Sequence, residues 1–97
     1  MSDTTPDKEF WNLADAFVAL ANQRCDATSR GKVSAAMLYA AARFNTFVVA
    51  STVKSKEEFA TQREEAVAYF TGQFEKMLRE NIGDYEANFA KYVQKTG

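Results

Sequence analysis

Residues 33–53 carry a single charged side chain, that of Arg43, in 21 positions. An α-helix over this segment has apolar side chains around most of its circumference, because successive residues are about 100° apart. A helix of that kind is normally covered by other helices on most of its surface. Two neighbours in a bundle of this size cover only part of it. The segment therefore predicts apolar surface that is left over for another contact.

Helical periodicity is also present on both sides of this segment. Apolar residues recur at spacings of three and four from Phe10 to Cys25, and again from Phe59 to Leu78. This spacing is typical of one face of a helix, and nowhere does the chain show the two-residue alternation of a strand. We therefore predict an all-α fold. It is an up-down bundle of three long antiparallel helices at about residues 6–25, 32–52 and 56–82, with a short C-terminal helix at about residues 84–94.

Local signals indicate where these helices begin and end. Thr5 followed by Pro6 is typical of an N-cap and a first helical residue. Residues 55–58, with the sequence SKEE, form a capping box that starts the third helix. Gly83 is predicted to end that helix in a left-handed conformation, and Asp84 to cap the short helix that follows.

The length of the chain bounds its organisation. Ninety-seven residues correspond to one domain. We predict a single helical domain over residues 1–97, with residues 1–5 and 95–97 flexible. Residues 1–10 lack the basic and apolar regions of a secretory signal. The longest apolar run, residues 35–42, is shorter than a bilayer span of about 20 residues, so we expect a cytoplasmic protein without membrane contact.

The composition excludes several kinds of chemistry. The chain has no His and a single Cys, Cys25, whereas a structural zinc site needs about four Cys or His ligands and a catalytic one about three. Nucleophilic and acid–base schemes that depend on His are excluded for the same reason. We therefore expect no metal, no cofactor, no catalytic residues and no enzymatic activity.

The apolar second helix predicts an interaction surface. Its broad apolar face includes Phe44 and Phe47, and a second apolar face includes Leu38, Val49 and Val53. Because exposed apolar patches often mark interfaces, we predict that the second face binds another copy of the chain or another protein. The alternative is that another segment of the same chain covers it.

Three polar or charged residues of this helix are also expected to make specific contacts. Tyr39 lies next to the predicted interface, where tyrosine is common. Asn45 could hydrogen-bond across the interface and fix its register, or pair with a polar group within the chain. Arg43 and Asp15 both fall at the edges of apolar stripes, so we predict a structural ion pair between them.

Charge is distributed unevenly along the chain. Residues 24–56 contain six basic side chains and one acidic side chain, although the whole chain has a net charge of −1. An anion or a nucleic acid is therefore an alternative partner. Its candidate binding residues are Arg24, Arg30, Lys32, Lys54 and Lys56. A helix of about 20 residues, roughly 30 Å long, separates the two ends of this set, and nucleic acid is therefore not the expected partner.

Two stretches of the sequence resemble a known family. Residues 10–22, FWNLADAFVALAN, and residues 33–45, VSAAMLYAAARFN, are similar to a family of small bacterial proteins described only as a domain of unknown function. The resemblance runs through most of the chain. It implies a bacterial cytoplasmic origin, and it carries no activity and no site residues. The leading hypothesis is therefore a small all-helical interaction protein that forms a homodimer partly through its second helix.

Overall fold

The computed structural model describes residues 6–93, and within that range the chain is all-helical. Helices account for 83% of these residues, which contain no strand. The five helices are α1 (Lys8–Arg24), α2 (Arg30–Ala50), α3 (Lys56–Thr61), α4 (Arg63–Ala87) and α5 (Phe89–Tyr92). The predicted fold class is confirmed.

The chain divides into two compact units, Met1–Val48 and Val49–Gly97. In the first unit, α1 and α2 do not pack against each other along their lengths. In the second unit, α4 makes close backbone approaches to both α3 and α5. The bundle of three long antiparallel helices and the single domain over residues 1–97 stay predictions.

The first helix begins at Lys8, two residues later than the sequence predicts. The carboxylate of Asp7 accepts a hydrogen bond from the backbone N–H of Phe10 at 2.9 Å, and Asp7 has an extended backbone. Asp is among the preferred N-cap residues, so the helix starts at Lys8 and Pro6 precedes the cap. Thr5, the predicted cap, lies outside the described residues.

The second helix is displaced by two residues from its predicted range of 32–52. The Ser29 hydroxyl accepts a hydrogen bond from the backbone N–H of Lys32 at 3.1 Å, and this cap starts the helix at Arg30. Beyond Ala50, the Thr52 hydroxyl donates to the Val49 carbonyl at 2.7 Å. That bond satisfies a terminal carbonyl that the helix itself leaves without a partner.

The predicted third helix is divided at Gln62. Its start is correct, because the Ser55 hydroxyl accepts from the backbone N–H of Glu58 at 3.0 Å. The Thr61 hydroxyl donates to the Glu58 carbonyl at 2.6 Å, and the Gln62 N–H bonds to the Phe59 carbonyl instead. Because the Gln62 N–H bonds to the carbonyl three residues back and not four, the helical ladder is interrupted at this one residue.

The prediction that Gly83 ends the long helix was wrong. Helix α4 continues through Gly83 to Ala87, and no left-handed backbone occurs at this glycine. Asp84 is consequently inside α4 and does not cap a new helix. The last helix is only the four residues of α5, and it follows a non-helical residue, Asn88.

None of the residues that the structure describes is fully buried. In the first unit the partly covered positions are mostly small or β-branched, and they include Ala14, Ala21 and Val33. In the second unit they include Phe59 and Phe70. Most of the larger apolar side chains are exposed, so the helices present extensive apolar surface.

Candidate self-association surface

The most exposed apolar surface of α2 is formed by two phenylalanines. Phe44 and Phe47 lie one turn apart with ring centroids 6.3 Å from each other, and they are 64% and 65% exposed. The sequence assigned them to the face that the bundle would cover. The structure instead leaves this face accessible, although such side chains favour burial.

The five predicted interface residues fall into two groups. Leu38 and Tyr39 are 54% and 65% exposed. Asn45, Val49 and Val53 are partly covered, and Val53 lies just beyond the end of α2. The predicted surface is therefore accessible only at its N-terminal end, and the two phenylalanines were missed.

A cation–π contact occupies the polar side of α2. The guanidinium of Arg43 lies over the ring of Tyr39, 5.0 Å from its centroid. The predicted ion pair with Asp15 is not formed within the chain, since Glu75 and Arg79 form the one ion pair found between residues 6 and 93. Stacking on an aromatic ring does not neutralise Arg43, so its charge stays available to an acidic group.

The remaining polar group near these aromatics is bonded within the helix. Thr46 donates its hydroxyl to the carbonyl of Ala42 at 2.7 Å. Bonds of this type satisfy the hydroxyl without an external partner. Thr46 therefore does not oppose burial of α2 against another apolar surface.

Helix α1 also exposes large apolar side chains. Trp11 packs edge-on against Phe10 with centroids 5.0 Å apart, yet Trp11 and Phe17 remain 56% and 63% exposed. Cys25, a free cysteine at the end of this helix, is partly covered. The sequence placed Phe10, Phe17 and Cys25 on one helical stripe, which does not include Trp11, and it did not predict that Phe17 would be accessible.

The alternative anion-binding residues are spread over several elements. Arg24 ends α1, Arg30 and Lys32 lie in the first turn of α2, and Lys54 and Lys56 follow that helix. Most of the length of α2, which has 21 residues and is about 30 Å long, separates Arg30 and Lys32 from Lys54 and Lys56. Cations in a first helical turn also oppose the helix dipole.

A polar and aromatic cluster joins α5 to α4. The hydroxyl of Tyr92 donates to Asp84 Oδ2 at 2.6 Å, and its ring stacks on that of Tyr85 with centroids 4.2 Å apart. The Asn88 amide donates to Asp84 Oδ1 at 3.0 Å. The hydrogen bond to Asp84 and the charge of that carboxylate raise the pKa of Tyr92 above its ordinary value of 10.0.

An open apolar groove lies beside this cluster. It has a volume of about 530 Å³. Its lining residues are Asn81, Ile82, Tyr85, Glu86 and Phe89. The groove contains one carboxylate and one amide, and its lining is otherwise apolar, so it offers contact area more than specific chemistry.

The acidic side chains and the hydropathy of the described residues also bear on function. No group of three or more His, Cys, Asp or Glu side chains between residues 6 and 93 is placed to hold a metal ion. Helix α2, Arg30–Ala50, is long and apolar enough to cross a membrane by length and composition alone. Core helices of soluble proteins meet the same criterion.

Comparisons with known proteins establish the family. The family model "Protein of unknown function (DUF3144)" matches residues 10–86. The solved NMR structure of the protein NB7890A from Shewanella sp. is similar, with a TM-score of 0.74 and 28% sequence identity over 92% of this chain and 95% of that one. No curated protein matches the chain. The chain belongs to the DUF3144 family, as the resemblance of residues 10–22 and 33–45 predicted.

Proposed function

We propose that this member of the DUF3144 family is a non-enzymatic protein–protein interaction module that self-associates through α2. The observation that supports the proposal most directly is the exposure of large apolar side chains on two faces of one helix, Phe44 and Phe47 on one face and Leu38 on the other. Burying each such side chain stabilises an assembly by about 1.5–3 kcal/mol. A chain that leaves all three in water loses this contribution, and a second copy can supply the missing cover.

Tyr39 and Arg43 supply the polar edge of the proposed surface. Tyrosine and arginine are both enriched in interfaces, and here the arginine lies over the tyrosine ring. An apolar centre flanked by such a pair has the composition of a protein interface. A cytoplasmic location and an up-down bundle of the three long helices belong to the same proposal.

Sedimentation of the full chain over a wide range of concentrations tests this function. We expect the wild type to form a dimer, and Leu38→Asp and Phe47→Asp to shift it towards monomer. Gln73→Asp on α4 is the control, because it adds the same charge to an exposed helical position outside the proposed surface. A wild type that stays monomeric at every concentration, with both variants unchanged, would overturn the proposal.

Two other partners are outcomes of a parallel binding experiment. If the chain is an anion- or nucleic-acid-binding protein instead, it should bind an oligonucleotide, and the affinity should fall steeply as salt is added. The residues of this alternative are Arg24, Arg30, Lys32, Lys54 and Lys56. A membrane role for α2 predicts that the protein sediments with vesicles of mixed neutral and anionic phospholipids. Either result, found together with a monomeric wild type, would replace self-association as the function.

A further inference from the structure

The two helices of the first unit have matching patterns of opposite charge. Between Glu9 and Arg24, the only charged residue of α1 is Asp15. Between Lys32 and the end of α2, the only charged residue is Arg43. Neither of them is in an ion pair within residues 6–93. Each helix therefore carries one isolated charge near its middle.

The same two helices expose enough apolar surface for a stable dimer. Their exposed aromatic residues are Trp11, Phe17, Tyr39, Phe44 and Phe47, each between 56% and 65% accessible. Four of them, all but Phe17, lie within about 100° of Asp15 or Arg43 on their helices, and at roughly 200 Å² for each side chain they leave on the order of 500 Å² exposed. The largest apolar patch of a typical monomer is about 300–600 Å², and a standard interface buries about 800 Å² per partner. Val18, 52% exposed beside Asp15, and the polar residues around these rings supply the difference.

Charge decides which helix of a second copy fits against α2. Helix α2 has three basic residues and no acidic one, so packing α2 on α2 places like charges close together. The first half of α1 has the opposite net charge, because Asp7 at its cap and Glu9 and Asp15 within it outnumber Lys8. An α1 helix is therefore the electrostatically complementary partner for α2.

We propose that two copies associate with α1 of each copy against α2 of the other. This inference rests on the proposed self-association and adds the surface that α2 contacts. In such a two-fold dimer every contact occurs twice. Asp15 of one copy faces Arg43 of the partner subunit, and Trp11, one turn before Asp15 on the same side of α1, lies against the phenylalanines of α2.

The positions of the two charges are consistent with this pairing. Asp15 is the eighth residue of α1, which has 17 residues, and Arg43 is the fourteenth of the 21 residues of α2. When the two helices are centred on each other, antiparallel or parallel, these residues lie within roughly one helical turn along the axis. Both residues are exposed, so they can meet without any change in the fold of either copy.

Charge reversal tests the pairing. We expect Asp15→Lys and Arg43→Glu each to weaken dimerisation roughly tenfold at low salt, since each creates two like-charge contacts per dimer. The double variant should recover wild-type affinity. With α2 packed on α2, Arg43→Glu would only replace two facing arginines by two facing glutamates and Asp15 would lie outside the contact, so neither single variant would weaken the dimer. An equimolar mixture of the two single variants should also recover wild-type affinity, which a pair within one chain would not allow.

A second measurement separates failure of this inference from failure of the proposed function. Trp11, the single tryptophan, should have a blue-shifted emission in the dimer that moves to the red on dilution. Suppose that the wild type dimerises and Phe47→Asp is monomeric, while both charge variants keep the wild-type dimer affinity and the Trp11 emission does not change on dilution. Self-association then stands, and the α1–α2 pairing is overturned. A wild-type monomer at all concentrations overturns both. Circular dichroism at one concentration checks that each variant keeps its helices.

Discussion

The side chains of the two units make their contacts in different ways. In the second unit, Tyr92 reaches back eight residues to Asp84 and stacks on Tyr85, so α5 is attached to α4 by contacts close in sequence. In the first unit, Phe17 and Phe47 stay exposed. Polar and stacking contacts can be completed locally, whereas an extended apolar face needs a second surface of comparable size. The second unit also exposes apolar side chains, but Phe74 and Ile82 there are 46% and 58% exposed, against 63% for Phe17 and 65% for Phe47. The greater exposure of these aromatic rings is why we place the self-association surface in the first unit.

The largest expected effect is on association, and it should distinguish the two units. Trp11→Asp on α1 should weaken dimerisation by roughly a hundredfold or more, because it places a charge in the buried centre of the interface. Phe89→Asp in the second unit is the matched control, since Phe89 and Trp11 are both 56% exposed. We expect it to leave the dimer affinity nearly unchanged in sedimentation equilibrium. Equal effects of the two variants would remove the distinction between the units.

The capping interaction at the start of α3 should have a moderate effect on stability. Ser55→Ala removes the acceptor for the Glu58 N–H and should lower the free energy of unfolding by about 1 kcal/mol. Ser55→Asp retains a capping oxygen and is expected to stay near wild type. Urea unfolding of the three proteins measures the differences. Loss of the same stability in both variants would assign Ser55 a role other than capping.

Gly83 allows a test in which sequence and structure predict opposite signs. Inside α4, with no atom near an added Cβ, Gly83→Ala should stabilise the protein by about 0.5–1 kcal/mol. A left-handed cap, as the sequence predicted, would make the same substitution destabilising. Gly72→Ala, also in α4 with open space around its Cβ, is the reference and should give a similar gain in urea unfolding. A loss of stability at Gly83 alone would restore the predicted cap.

The helices themselves could be predicted from sequence because apolar spacing persists over many turns. Their ends were less predictable, since they depend on single hydrogen bonds. Asp7 competes with Thr5 for the cap of α1, and the Gln62 N–H bonds to the carbonyl three residues back, which interrupts the helix there. Gly83 shows the same limit, because a glycine near an expected helix end fits both a cap and a helix interior.

The candidate surface was only partly predictable for a different reason. Because α2 is apolar around most of its circumference, its pattern does not determine which face the rest of the chain covers. The sequence correctly indicated exposed residues at Leu38 and Tyr39, but it reversed the exposure of Phe47 and Val49. That choice depends on contacts with distant segments, which no local pattern contains.

The smallest predicted effect concerns the attachment of α5 at high pH. The pKa of Tyr92 is raised above 10.0 because its hydroxyl donates to Asp84 and the carboxylate charge disfavours the phenolate. The neutral phenol is therefore favoured in the folded chain, so this contribution is fully present below pH 10 and is lost as the pH rises through the raised pKa. The effect is local, since both side chains are exposed.

Alkaline titration of tyrosine absorbance measures this directly. Subtracting the curve of Tyr92→Phe from that of the wild type, which has four tyrosines, isolates the Tyr92 transition. We expect that transition above the ordinary tyrosine range, and Asp84→Asn should return it towards 10.0. Hydrogen exchange of residues 88–93 should become faster in both variants, while exchange in α1 stays unchanged. A Tyr92 transition in the ordinary range in wild type would show that α5 is not held by this bond, and the contrast between the two units would then rest on the stacked tyrosines alone.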